Sequence, residues 1–108
     1  LPEGVTSNTV IGVVATTARL TKEEANKMAE MAHDGLARAI RPSHTLHDGD
    51  TIFALATGTA GRANISAIGA FAAEATSQAI RRAVLAATPL AGLPAAMSPA
   101  ALPPDAEN

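Results

Sequence analysis

Apolar and polar positions fall into four patterned stretches. In "VIGVVA", residues 10–15, both alternating faces are apolar: Val10, Gly12 and Val14 on one, Ile11, Val13 and Ala15 on the other. A short run without a polar face reads as an interior strand covered on both sides. Thr21 followed by Glu24 matches a capping box, and Ala25, Met28, Ala29, Ala32, Leu36 and Ile40 then recur at helical spacing. The spacing predicts an amphipathic helix over about 21–40 that ends before Pro42, with Lys22, Glu23, Lys27, Glu30 and Asp34 on its outer face. "RPSHTLHDGD", 41–50, has no period and reads as a loop, whereas "TIFALAT", 51–57, reads as a second strand. Beyond the connector "GTAGRAN", Ile65 to about Ala87 reads as a long Ala-rich helix with Ile68, Phe71, Ala72, Ala75, Ala79, Ile80 and Ala83 toward the interior. From Pro89 onward lie five of the seven prolines, a composition that cannot continue a helix and has little to bury, so a disordered tail is expected over 89–108.

The order strand, helix, strand, helix defines an α/β class, and the 108 residues leave room for one domain. Two strands alone make a poor sheet, so further strands are expected from another segment or chain. The opening "LPEGVTSN" is polar, carries Pro and Gly and lacks an initiator Met, and the chain therefore reads as a piece of a longer one. Hydrophobic residues make up 47% of the chain but aromatics only 2%, so the core must be built from small aliphatic side chains and needs close backbone approach.

The absence of cysteine removes disulfides, thiolate metal sites and a cysteine nucleophile, and fits a reducing, cytoplasmic setting. The net charge is −2, and Arg81-Arg82 is the one adjacent basic pair, which lacks the electrostatic footprint of a nucleic-acid binder. No run reaches the roughly 20 apolar residues that a bilayer span requires, so no membrane partner is expected.

Ser7, Asn8 and Thr9 stand directly before the first strand. Threonine is common at strand starts, so the plain reading makes this triplet an entrance. The chemical reading makes Thr9 a nucleophile: its hydroxyl needs a base, and an N-terminal α-amine with a pKa of about 8 can supply one if the chain is cut between Asn8 and Thr9. In "HTLHDGDT", 44–51, Asp48 and Asp50 flank Gly49, and an extended backbone would point both carboxylates to one side, where such pairs hold a proton for acid or base work. The competing reading is a Gly-centred turn with solvated aspartates. His44, His47, Asp48 and Asp50 could also ligate a divalent ion, although their spacing matches neither the zinc helix motif nor the calcium loop. His33, next to Asp34, reads as structural and partly exposed, and "GTAGRAN" lacks the lysine and spacing of a phosphate loop.

Taken together, "SNTVIGVVAT", "LTKEEANKMAEMAHDGLARAIRPSHT" and "DGDTIFALATG" resemble the C-terminal part of the DmpA-type L-aminopeptidase/D-esterase family, self-cleaving peptidases that include the nylon-oligomer hydrolases. The similarity runs over about residues 7–88. It implies an N-terminal-nucleophile hydrolase with an αββα sandwich, made as one precursor that cuts itself into an α and a β chain. Carried onto this sequence, residues 1–8 would be a pre-cleavage linker, 9–88 the β-chain portion and 89–108 the tail. The scissile bond would be Asn8-Thr9, Thr9 the autocatalytic residue and then the nucleophile, and Asp48 and Asp50 the carboxylates that orient it and manage its protons. The resemblance further implies an α chain from the same precursor as partner, a higher oligomer of αβ units, a peptide or small-amide substrate and no cofactor or metal. It places the oxyanion-hole donors and much of the substrate pocket in the α segment.

The chain departs from the family pattern at Ser7 and Val10, where Gly and a second Thr are frequent, and at Thr17, where Asn or Asp is frequent. Three other readings stay open: an endo-amidase for oligomeric amides such as nylon oligomers, an acyltransferase of the ornithine acetyltransferase type, and a non-catalytic fragment whose Thr9 never becomes N-terminal.

Overall fold

A computed structural model describes residues 8–46 and 48–97. The linker up to Ser7, His47 and the tail beyond Met97 therefore lie outside the described residues. The elements are β1 (Ile11–Thr16), α1 (Lys22–Ala39), β2 (Thr51–Ala56) and α2 (Ile65–Ala86). The strands pair in parallel, Ile11 opposite Thr51 through Thr16 opposite Ala56. Both helices pack on one face of this sheet and against each other, which is the expected α/β partial sandwich.

Helix α1 starts where the capping box predicts. The Thr21 hydroxyl accepts from Glu24 N–H at 3.2 Å, and the Glu24 carboxylate accepts from Thr21 N–H at 2.9 Å. Together they satisfy two amide donors that the first helical turn leaves open. That backbone hydrogen bond from Thr21, reinforced by the Arg62 guanidinium 3.1 Å away, holds the Glu24 carboxyl below the usual carboxylate range. Helix α2 begins at Asn64, whose side chain accepts from Ala67 N–H at 3.2 Å.

The core consists of Met28, Ala32 and Leu36 from α1, Ile52 from β2 and Ala72 from α2. Val10, Val14, Ile68 and Ile80 pack around it. Such small side chains fill the space only because the helices approach closely, and two glycines permit this. A Cβ at Gly35 of α1 would fall on the Ala73 carbonyl oxygen of α2 and within 2.9 Å of Thr76 Cβ, and a Cβ at Gly69 of α2 would collide with the Met31 thioether.

Two expectations change. Strand β1 is covered on one face only: Val10, Gly12 and Val14 turn toward the helices, while Ile11, Val13, Phe53 and Leu55 are 56–71% exposed on the reverse face. An apolar run on both faces records burial wherever the cover comes from, and among the described residues nothing covers the second face. The predicted inner face of α2 is likewise split. Gly69, Ala72 and Ala73 are buried, but Phe71 is 73% exposed and, with Ala75 and Ala79, lines an open groove beside β1. The helix leans on α1 more than on the sheet, so the part of its apolar face nearer β1 is left open.

Of the Pro-rich tail, residues 89–97 are described. They hold a turn in which Leu90 and Leu93 exchange backbone hydrogen bonds of 3.1 and 2.9 Å around Ala91 and Gly92, both at positive φ.

Candidate functional site

The strand pairing continues past the regular ladder at the N-terminal end of β1. Asn8 forms a parallel bridge with Asp48, and Gly49 N–H donates to the Asn8 carbonyl at 2.9 Å. Farther along, Thr51 N–H donates to the Val10 carbonyl at 2.9 Å. Between these bonds the ladder is broken by a side chain: Val10 N–H donates to Asp50 Oδ1 at 3.0 Å. The peptide that follows Thr9 is thus held by a carboxylate.

Thr9 is exposed and lies beside Gly49. A Cβ at position 49 would stand 3.1 Å from Thr9 Oγ1 and 4.0 Å from its Cγ2, so the hydroxyl occupies space that any other residue there would crowd. The two aspartates flanking Gly49 have separate partners. Asp48 Oδ2 accepts from Thr45 N–H at 3.1 Å, and Asp48 N–H donates back to the Thr45 carbonyl at 3.1 Å, closing a tight turn of the kind Asp side chains favour. The Asp50 side chain is only 7% exposed, with Oδ1 on Val10 N–H and Oδ2 3.9 Å from His44 Nδ1. That second distance is too long for a hydrogen bond but is ion-pair range when the imidazole is protonated. A buried carboxylate is expensive unless it has such partners. Among the described residues neither aspartate hydrogen-bonds the Thr9 hydroxyl or the other aspartate.

Sequence reasoning named Asn8, Thr9, Asp48 and Asp50, and the structure gathers all four at the mouth of β1. It undervalued three residues. Gly49 reads in the sequence only as a turn former, yet it faces both the Thr9 hydroxyl and the Asn8 carbonyl. His44 was considered only as a metal ligand. It sits at φ 58, a conformation few non-glycine residues adopt, and faces Asp50. His33, read as structural, packs its ring against His44 with centroids 5.3 Å apart and planes tilted by 54°. Its Nδ1 is buried without a hydrogen-bond partner among the described residues. No spacing rule joins a helix residue to a loop residue eleven positions on, because the segment between the helix end and His44 is irregular. Among the described residues no three His, Asp or Glu side chains converge as a metal site; His47, the other candidate ligand, lies outside them. No helix among them is long and apolar enough to cross a membrane.

In this α/β layer a hydroxyl stands at the mouth of the first strand and two carboxylates lie on the segment paired with it, and the chain belongs to Peptidase family S58, whose model matches residues 2–97. The DmpA-type resemblance is thereby borne out. The chain is 44% identical to an uncharacterized aminopeptidase of Mycobacterium tuberculosis, over 79% of this chain and 29% of that protein. The corresponding protein of Mycobacterium leprae is also 44% identical, over 79% of this chain and 27% of its own length. A 6-aminohexanoate-oligomer endohydrolase of Paenarthrobacter ureafaciens is 35% identical, over 70% of this chain and 25% of its own length. The chain thus spans less than a third of the relatives it matches.

Proposed function

We propose that this chain is the nucleophile-bearing part of a self-processing amidohydrolase that cuts itself between Asn8 and Thr9 and then hydrolyses amide bonds through an acyl ester on Thr9. One observation carries the reading: the Thr9 hydroxyl stands at Gly49, with the peptide behind it fixed by Asp50 and the peptide before it fixed by Gly49. A nucleophile gains from such fixing because the entropy of alignment is lost before the reaction starts.

In self-cleavage the Thr9 oxygen attacks the Asn8 carbonyl carbon, the Asn8-Thr9 C–N bond breaks, and the hydroxyl proton ends on the Thr9 nitrogen. Water then adds to the resulting ester, the bond between the Asn8 carbonyl carbon and Thr9 Oγ1 breaks, the Thr9 hydroxyl is regenerated and Asn8 leaves as a carboxylic acid, so that the chain begins with the Thr9 amine freed in the first step. That amine then serves as the base for its own hydroxyl when a substrate amide is attacked. Asp50 positions Thr9 through the Val10 N–H, and Asp48 shapes the loop that presents Gly49. The partner that completes the site is an α chain from the same precursor, in an assembly of several αβ units.

Removal of N-terminal residues from peptides is the favoured activity, because the mycobacterial relatives at 44% identity are named aminopeptidases. Endo-hydrolysis of oligomeric amides is the second reading, drawn from the name of the relatives at 35%. The test is the intact mass of this chain recovered after co-expression with its natural upstream segment, beside a Thr9→Ala control. Residues 1–8 should be lost only when Thr9 is present. An uncut junction in a folded, active complex would overturn the reading.

A further inference from the structure

We infer that the backbone N–H of Gly49 is a catalytic group for self-cleavage: it donates to the scissile carbonyl oxygen and stabilises the negative charge that develops there when Thr9 attacks. The inference rests on the proposed cut at Asn8-Thr9, but the donor itself is seen directly, 2.9 Å from the Asn8 oxygen. The donor thus already points at the oxygen on which charge develops, and the bond strengthens as that oxygen becomes negative.

An ordinary ladder bond would have the same length, so its surroundings decide the matter. The regular ladder starts at Ile11, and Asn8–Asp48 is an isolated bridge separated from it by the Val10 bond to a side chain. The bridge keeps the register of the ladder, Asn8 opposite Asp48 as Ile11 is opposite Thr51, so the strand pairing fixes this donor on the Asn8 oxygen while the next ladder position is given up to a side chain. The same residue also makes room for the attacking atom, since a side chain at position 49 would lie 3.1 Å from Thr9 Oγ1. Nucleophile and electrophile are both arranged by one glycine, one through missing atoms and the other through its amide.

As Oγ1 adds to the Asn8 carbon, the carbonyl π electrons move onto the Asn8 oxygen, which already accepts the Gly49 N–H. Collapse of this intermediate breaks the C–N bond and restores the carbonyl as an ester on Thr9. No new donor has to be recruited to that oxygen. In mature turnover the acyl group on Thr9 stands where Asn8 stood, so the same N–H is available to a substrate carbonyl, beside whatever donors the partner chain brings.

The test removes the donor without adding atoms: glycolic acid replaces Gly49 in the full-length precursor, turning the amide between Asp48 and residue 49 into an ester. Cleavage should slow on the order of 10²-fold, the usual effect of losing one oxyanion donor, while the Thr9→Ala precursor stays uncut. Unchanged cleavage in the glycolate precursor would overturn the inference and leave the Thr9 reading standing. Cleavage in Thr9→Ala would overturn the Thr9 reading itself. Should the ester precursor fail to fold, the scalar coupling across the hydrogen bond from Gly49 15N to Asn8 13C′, measured in the Thr9→Ala precursor, decides. A resolved coupling supports the donor, and its absence in a folded precursor overturns it.

Discussion

A single carboxylate fixes the backbone at the candidate nucleophile. The Asp50 side chain is largely shielded from solvent, and its Oδ1 takes the Val10 N–H that the broken ladder would otherwise leave unpaired. Removing the acceptor while keeping the donor is the costly kind of deletion, because a hydrogen bond to a charged group contributes about 1.5–3 kcal/mol and its loss strands a desolvated amide. Asp50→Ala in an uncut Thr9→Ala precursor should therefore lower stability by about 2 kcal/mol. Asp50→Asn keeps an acceptor oxygen for Val10 and loses only the carboxylate charge, which strengthens that bond and faces His44, so it should cost less than Asp50→Ala. Thermal or denaturant unfolding of the two variants checks this ordering; equal losses would show that charge, not the Val10 bond, is what Asp50 contributes. Thr9 and the aspartates were legible as candidates because a polar triplet before an apolar run and a D-G-D motif are local features. The role of Gly49 was not, since it depends on a pairing between Asn8 and Asp48 that no local pattern announces.

At the level of elements, both helices were legible almost to the residue, the first through the capping box of Thr21 and Glu24 and the second through the end of the connector "GTAGRAN". Their mutual packing was not. Periodicity reports that a residue is apolar, whereas the contact between α1 and α2 turns on two residues that lack side chains. Gly35→Ala should be destabilising in the assembled protein even though alanine is the better helix former by about 1 kcal/mol. The added methyl meets the Ala73 backbone, which cannot move without separating the helices. Overpacking of this kind costs typically about 1–3 kcal/mol. Gly69→Ala meets mainly the flexible end of Met31, so it should cost distinctly less. Comparing the unfolding midpoints of the two variants tests the argument; a stabilised Gly35→Ala protein would mean that the helices are not held at this spacing.

At the scale of the whole molecule, the arrangement is lopsided. One face of the sheet is packed by helices, while the other presents Ile11, Val13, Phe53 and Leu55 side by side across a sheet that, among the described residues, has two strands and open edges. A contiguous apolar patch of this kind marks an interaction surface, and open strand edges invite pairing. Under the proposed function the α chain covers this face. One substitution should then act in opposite directions in two settings. The isolated chain should associate, and Phe53→Lys should reduce that association, because it places a charge in the patch. In the co-expressed precursor the same change should weaken assembly, since losing the buried phenyl group alone costs roughly 1.5–3 kcal/mol and desolvating the ammonium adds to that cost. Light scattering on the isolated chain and co-purification yield with the upstream segment read the two effects separately. A monodisperse isolated chain, or an assembly indifferent to Phe53→Lys, would show that this face is not where the partner binds.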